Sequence, residues 1–411
     1  MVSLVAVESL PRLIIIGGGM AGSRLAHDLM ATEAGYQVTL ISEEAQVGYN
    51  RIMLSALLAK EIDAKDMPLV DIQGMREKGL EVVAGDAAAN IDTHRRLVVL
   101  ASGRELQYDK LVFATGSRAS ILPIDGSKAS NVIGFRNWQD TQVLSELPST
   151  AHVSVIGGGL LGLEAAVGLA KKGHPVTVYH RSGWILNRQL DEAAAKMLQA
   201  QLEKYGVTFR LGQTPEKFKC NAVGKVIAIL GKDHIQPADL VVMAAGITPE
   251  IELAKAAGIT TNKAIIVDAQ LRTSHDDVYA IGECCEFESQ TFGLVAPIWD
   301  QLKVLLKTLG KTPSVFTIEA VPTKLKVSGV NVFSVGRIVA DEEDQEICYT
   351  DVATDHYRKL LINGDQLVGA ILYGNVADGS WYFQLIQNKT NVSSMLDTLI
   401  FGEAYCPQDV A

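Results

Sequence analysis

The chain has 411 residues, too many for one ordinary domain, and at 48% hydrophobic and 20% charged it can bury large cores, which excludes wholesale disorder. Its 37 basic and 47 acidic side chains leave a net charge of −10, the wrong sign for a chain that tracks nucleic-acid phosphates or an anionic membrane surface. Five cysteines with no CxxC point to a reduced, cytosolic setting and away from zinc knuckles or thioredoxin-type pairs.

In chain order, the start MVSLVAVESLPR carries Glu8 and no basic run, so no signal peptide is expected. Residues 13–22, LIIIGGGMAG, precede a helical pattern and then the apolar run QVTLIS. Strand, glycine turn, helix, strand is the reading. In a GxGxxG turn the first glycine permits the bend, the second admits a diphosphate to the backbone, and the third lets helix and strand pack closely. Glu43 follows Gly22 by 21 residues, where an acid accepts the hydroxyls of a ribose; Glu44 is the alternative. A further strand is expected at 110–116, KLVFATG. The pattern returns at 153–162, VSVIGGGLLG, with Gly157 standing 140 residues after Gly17, too far for a solenoid repeat. Two nucleotide-binding units are the better reading. The apolar stretch 153–170 is interrupted by Glu164 and glycines, and is too short to span a bilayer comfortably. At the end of the second unit's second strand stand His180 and Arg181, with Arg188 beyond and no acid. Cations there favour a 2′-phosphate, hence NADPH, although Arg181 as a plain surface cation is the competing reading, so the nucleotide is NAD(P)H. Strands follow at 225–230, 240–246 and 278–282, and from about 311 antiparallel hairpins and a helical SWYFQLIQNK form a third, α+β unit. The eight histidines show no metal-binding spacing, and no metal is expected.

This arrangement resembles the pyridine-nucleotide-dependent flavoprotein reductases over nearly the whole chain. The ATG turn with which that family leaves its flavin domain is matched by Ala114, Thr115 and Gly116, and the return turn by AGITP at 245–249. Its late flavin motif is matched by TSHDDVYAIGE at 273–283, with Glu283 where most members have Asp. GYNRIMLSALLAKE at 48–61, GECCEF at 282–287 and GLVAPIWDQ at 293–301 are similar to the flavin portion of assimilatory nitrite reductase large subunits; rubredoxin and ferredoxin reductases match less closely.

The resemblance implies an α/β fold with two Rossmann-like dinucleotide-binding domains, a glutathione-reductase-like architecture without its redox disulfide, plus a C-terminal α+β domain. Residues 1–118 and 240–310 would form the FAD domain, 119–239 the NAD(P)H domain and 311–411 the third. FAD is expected against Gly17, Gly19, Met20, Ala21, Gly22, Glu43, Asn50, Arg51, Ser55, Val83, Ala114, Thr115, Gly116, Gly282, Glu283, Ala296 and Pro297. Within that set Arg51 would meet the pyrophosphate, Glu283 the ribityl chain, and the backbone of Ala296 and Pro297 the flavin's pyrimidine edge. NAD(P)H is expected against Gly157, Gly159, Leu160, Leu161, Gly162, Glu164, His180, Arg181, Arg188, Ala245 and Gly246. Glu164 would orient the nicotinamide near the flavin. The lysine that pairs with this acid elsewhere is replaced by Ala56, leaving Lys60, one helical turn on, as the candidate.

The disulfide and peroxide branches of the family take electrons through cysteines near 45–60, and AQVGYNRIMLSALLAK has none. Electrons are therefore expected to leave the flavin directly. The implied activity is hydride transfer from NAD(P)H to FAD, then transfer to a separate redox protein. A nitrite or nitrate reductase component is the first choice and a rubredoxin or ferredoxin the second, with a homodimer left open. No sulfite/nitrite-reductase cysteine cluster is present, so the residues look like a free-standing flavin module and nitrite reduction itself is not expected from them. The rivals are a flavin-bearing scaffold or sensor that answers NAD(P)H without turnover, and a flavin monooxygenase. Cys284 and Cys285 read as structural thiols. Lys324, Lys326, Arg358 and Lys359 read as a basic patch for an acidic acceptor, or as guards of a strand edge.

Overall fold

The computed structural model describes residues 10–32, 35–312, 314–319, 321–327 and 329–406, without the side chains of 326 and 327. The signal-peptide reading at 1–9 and the side chain of Lys326 lie outside them.

The first glycine turn hangs on a five-stranded sheet in the order Val278–Ala280, Lys110–Phe113, Arg12–Ile16, Gln37–Ser42, Glu81–Ala84, paired in parallel throughout. Leu13, Ile14 and Ile15 are buried in succession, as are Leu111, Val112 and Phe113, the mark of strands covered on both faces. The second turn hangs on a matching parallel sheet ordered Val207–Leu211, Val176–His180, Val153–Ile156, Leu240–Met243, Val132–Ile133. The strand Leu240–Met243 therefore belongs to the second sheet, which corrects the expected boundary at 240. Its apolar sequence suits a buried parallel strand in either sheet, so composition did not say which. The chain crosses back at Ile247–Pro249, which pairs antiparallel with the outgoing Ser117–Ala119. Thr115 Oγ1 donates to the Glu250 carbonyl at 2.8 Å, and Arg118 pairs with the Glu250 carboxylate at 2.6 Å, tying the two crossings together.

The third unit is an antiparallel sheet ordered Thr323–Val327, Val330–Gly336, Gln366–Tyr373, His356–Asn363, Asp344–Asp351. It begins at 323 rather than 311, because Phe316 and Ile318 still pack into the first core. One face meets the second unit through Val332, Tyr357, Ile371 and Tyr373, and the other is closed by the helix Gly379–Gln387. Neighbouring strand residues point to opposite faces, so with both faces covered the consecutive cations Arg358 and Lys359 are both buried. Arg358 pairs with Asp378 at 2.7 Å, and Lys359 with Glu346 at 2.6 Å and Asp191 at 3.5 Å. Lys324 donates to Ser380. The expected basic patch is thus not one. Among the described residues no helix is long and apolar enough to cross a membrane.

Asp191 also caps the helix Glu192–Glu203 and accepts the Tyr357 hydroxyl at 2.6 Å, so one carboxylate ties the third unit to the second. Tyr357→Phe keeps the ring packing and removes that bond. It should cost about 1.5 kcal/mol in urea unfolding, the range for a hydrogen bond to a charged group; a change within about 0.5 kcal/mol would place the junction's strength elsewhere.

Candidate functional site

Gly17 sits at φ +122°, where a Cβ would stand 2.1 Å from the Ala114 carbonyl oxygen, and a Cβ on Gly22 would stand 1.9 Å from the Gly17 oxygen. These two glycines let strand, turn and helix close on one another. The helix Met20–Ala31 then starts from Gly19 with no capping side chain and no acid in its first turn. Its free N–H groups and positive end suit an anion. Arg51 lies across that end, its Nη2 3.4 Å from the place of a Gly19 Cβ and its Nε buried without a partner. Glu44 pairs with Arg51 and accepts the Tyr49 hydroxyl at 2.7 Å. Glu44 is thereby engaged, while Glu43 is exposed and without a partner among the described residues, free to meet a ribose. Val83 lies opposite Ile41 on the sheet's outermost strand. An orphaned cationic nitrogen at an uncapped helix end fits the diphosphate of FAD.

The late motif closes the same site. Gly282, at φ +87°, donates its N–H to Oε1 of Gln301 at 2.7 Å, and the Gln301 amide nitrogen is buried and unpartnered. Glu283 accepts from Ser117 Oγ at 2.6 Å and pairs with Arg136, whose Nε is also buried and unpartnered. Sequence reasoning missed Arg136, which sits in no motif, and Gln301, although Gln301 is the last residue of the segment GLVAPIWDQ. The helix Val295–Leu309 starts uncapped. Ala296 and Pro297 lie in its first turn, where Ala296 offers a backbone N–H and Pro297, which has none, only its carbonyl. Cys284 and Cys285 are fully buried free thiols that donate to the carbonyls of Ile281 and Gly282 at 3.2 and 3.3 Å. Burial raises both thiols, so they stay protonated.

The second turn repeats the steric logic. Gly157 is at φ +126° with a would-be Cβ 2.2 Å from the Ala244 oxygen, next to the exposed Ala245 and Gly246. A Cβ on Gly162 would stand 2.0 Å from the Gly157 oxygen, whereas one on Gly159 meets nothing within 4 Å. The helix Leu160–Lys171 starts there uncapped, with Leu161 exposed. Arg181 and Arg188 are exposed and lack an ion-pair partner among the described residues. His180 is different: its Nδ1 accepts the Gly158 N–H at 3.1 Å and its Nε2 meets Asn187 Oδ1 at 3.1 Å. An accepting imidazole is neutral, and burial holds it below the usual histidine range. His180 is therefore not the cation expected beside Arg181.

One short segment joins the two turns. Asn50 accepts the Ile52 N–H at 3.1 Å and starts the helical run Arg51–Met53 and Leu54–Leu58, which packs on the helix Leu160–Lys171 closely enough that a Cβ on Gly168 would stand 3.3 Å from the Leu58 side chain. Arg51 reaches the first turn, and four residues later the Ser55 hydroxyl hydrogen-bonds Glu164, two residues beyond the second. Ser55, expected against the flavin, also meets the acid. Burial pushes Glu164 up to about 7, with the Ser55 bond pulling the other way. Lys60 is no partner for it: the chain turns left-handed there (φ +57°), and the exposed Lys60 acts electrostatically on Lys172.

Residues 11–302 match the family model for pyridine nucleotide-disulphide oxidoreductases, and 322–390 the rubredoxin NAD+ reductase C-terminal domain. The chain is 38% identical over 388 residues to a nitrite reductase [NAD(P)H] of Bacillus subtilis (strain 168), covering 93% of this chain and 48% of that one. It is 37% identical over 400 residues to the assimilatory nitrate reductase electron transfer subunit of the same organism, covering 96% and 52%. It spans about half the length of these relatives. Among solved structures it is similar to a putidaredoxin reductase in covalent complex with putidaredoxin (TM-score 0.81, 26% identity, 93% of this chain and 94% of that one). The chain belongs to the pyridine nucleotide-disulphide oxidoreductase family, whose members bind FAD and use NAD(P)H.

Proposed function

We propose that this chain is a cytoplasmic FAD-dependent NAD(P)H reductase that hands electrons to a separate redox protein. A nitrite or nitrate reductase component is the first choice of acceptor and a rubredoxin or ferredoxin the second. The observation that carries the reading is the segment 51–58, which places Arg51 at one glycine turn and Ser55 beside the other and holds no cysteine. The similarity to an electron transfer subunit over 96% of this chain favours the first acceptor. FAD residues come from 10–116 and 250–318, NAD(P)H residues from 118–247, and the third unit starts at 323.

Bound there, FAD would take hydride from the nicotinamide and release electrons onward. The chain's own contribution is to hold and orient. Arg51 and the end of the helix Met20–Ala31 bind one diphosphate, and Glu43 binds the ribose. Ser117 and Arg136 fix Glu283. The open place at Gly159 admits the second diphosphate, with Arg181 and Arg188 set for the 2′-phosphate of NADPH.

Anaerobic mixing with NADPH and with NADH tests this. Rapid bleaching of the flavin absorbance is expected, faster with NADPH; unchanged absorbance at saturating nucleotide would favour the scaffold or sensor. Arg51→Met should weaken FAD retention by roughly tenfold, about 1.5 kcal/mol for a lost charge-assisted phosphate contact. Flavin content after extensive dialysis measures it, and full retention would remove Arg51 from the diphosphate site.

A further inference from the structure

The second turn differs from the first in the residue that backs it. Behind Gly18 stands Ser42, and behind Gly158, in the matching place, stands His180, whose Cγ would lie 2.9 Å from a Gly158 Cβ. Both ring nitrogens of His180 are committed, Nδ1 as acceptor from the Gly158 N–H and Nε2 as donor to Asn187. Gly158 is held from its other side too, its carbonyl accepting the Leu186 N–H at 2.9 Å. Leu186 is buried and left-handed (φ +48°), a conformation that persists only where surrounding contacts fix it. The same loop is fastened at its base, with Gly212 donating to Ser182 at 2.9 Å and Gln213 to the His180 carbonyl at 3.0 Å. Arg181 and Arg188 are carried on this loop and stay exposed.

We infer that His180 is a positioning residue for the nucleotide's 2′-phosphate: a neutral imidazole that fastens the loop bearing Arg181 and Arg188 to the glycine turn that takes the diphosphate. The inference rests on the NADPH reading above. It gives the two arginines a fixed offset from the diphosphate, which a flexible loop would not. It also holds in one protonation state, because an imidazolium carries hydrogen on Nδ1 and meets the Gly158 N–H donor to donor. Burial and the adjacent Arg181 both favour the neutral ring.

Binding of 2′,5′-ADP and 5′-ADP to the FAD-loaded protein, followed by calorimetry, tests this without turnover. At pH 7.5 the wild type should bind 2′,5′-ADP at least about tenfold more tightly, the scale of one or two charge-assisted contacts. His180→Ala should cut that preference to within about threefold. His180→Asn should keep it, because its Oδ1 stands where Nδ1 stood and accepts the Gly158 N–H. Between pH 7.5 and 5.5 the wild type should lose preference beyond the loss seen in H180N. The 2′-phosphate titrates equally in both proteins. His234, bonded to Tyr179 on the same strand, and the cations Arg181, Arg188 and Arg210 are present in both proteins and cancel from the comparison. If H180A does not fold, that pH comparison carries the test. Nitrogen-15 spectra of labelled histidine, assigned by the signal absent from H180N, should show Nδ1 bare at pH 7.5. A wild type with no 2′,5′-ADP preference overturns the NADPH reading and this inference with it. A wild-type preference that survives intact in H180A, or a protonated Nδ1, overturns this inference alone.

Discussion

Gly162→Ala is expected to lower the thermal stability of the protein sharply and abolish nucleotide binding, while Gly159→Ala leaves stability unchanged and weakens NAD(P)H binding by roughly a hundredfold. The difference lies in what each methyl would meet. At Gly162 it would meet the Gly157 carbonyl oxygen at 2.0 Å and the Ala244 Cβ at 3.2 Å, and a backbone oxygen has nowhere to yield. Alanine normally gains about 1 kcal/mol over glycine inside a helix. Against that, forcing strand and helix apart costs about 3 kcal/mol or more, so the steric term decides the sign. At Gly159 the backbone is ordinary (φ −83°) and no atom lies within 4 Å. On the binding mode proposed above, the diphosphate approaches the backbone through that space. A methyl that holds it off loses two charge-assisted backbone bonds at about 1.5 kcal/mol each, which is the hundredfold. Thermal melts and calorimetry with NADP+ check both variants, and flavin content should stay normal in G159A. A G162A protein that melts and binds like the wild type would mean the turn is looser than its contacts require.

The glycine turns were legible because their spacing lies within six residues, and Gly22 and Gly162 each meet a carbonyl five residues back; that Gly17 and Gly157 face the carbonyls of Ala114 and Ala244 needed the fold. Arg51 was legible for a related reason: its flanking motif lies in one short segment. The contacts that needed the fold were of another kind. Ser55 meets Glu164 across 109 positions, and Arg136 meets Glu283 across 147, so no spacing rule connects them. Lys60 looked one helical turn on from Ala56 and so able to reach the acid, but the helix ends at Leu58 and the chain leaves in a left-handed turn. Arg358 and Lys359 looked exposed by the usual cost of burying charge. They are buried because the sheet is covered on both faces and each cation meets a carboxylate on its own side. The strand Asp344–Asp351 was missed because its apolar residues Ile347, Cys348 and Tyr349 are consecutive, so the alternation on which a strand reading depends is absent. His180 was read for its charge, and the fold uses its lone pair.

Glu164 makes the second large prediction, because a carboxyl that burial pushes up to about 7, at the nicotinamide site proposed above, links stability and turnover to the same proton. Its folded value of about 7 lies above the ordinary carboxylate value of 4.5, so between those limits the folded protein holds a proton that the unfolded chain has released. The stability tied to that proton is complete below about pH 4.5, falls as pH rises through 7, and is absent above it. A shift of that size, discounted for partial exposure, amounts to about 2–3 kcal/mol. Glu164→Gln removes the titration at constant shape. It should therefore be more stable than the wild type by about 2 kcal/mol at pH 8.5 and by less than about 1 kcal/mol at pH 5.5, in urea unfolding followed by flavin fluorescence. His174 and His180, whose values burial lowers, titrate in both proteins and cancel from the difference. Ser55→Ala should move the titration upward, since the hydroxyl bond favours the charged carboxylate. The rate of flavin reduction by NADPH should follow the same proton in the wild type, shift upward in S55A, and lose this step in E164Q. Equal wild-type and E164Q stabilities at pH 8.5, with parallel rate profiles, would mean that water reaches the carboxyl and that the acid merely lines the site.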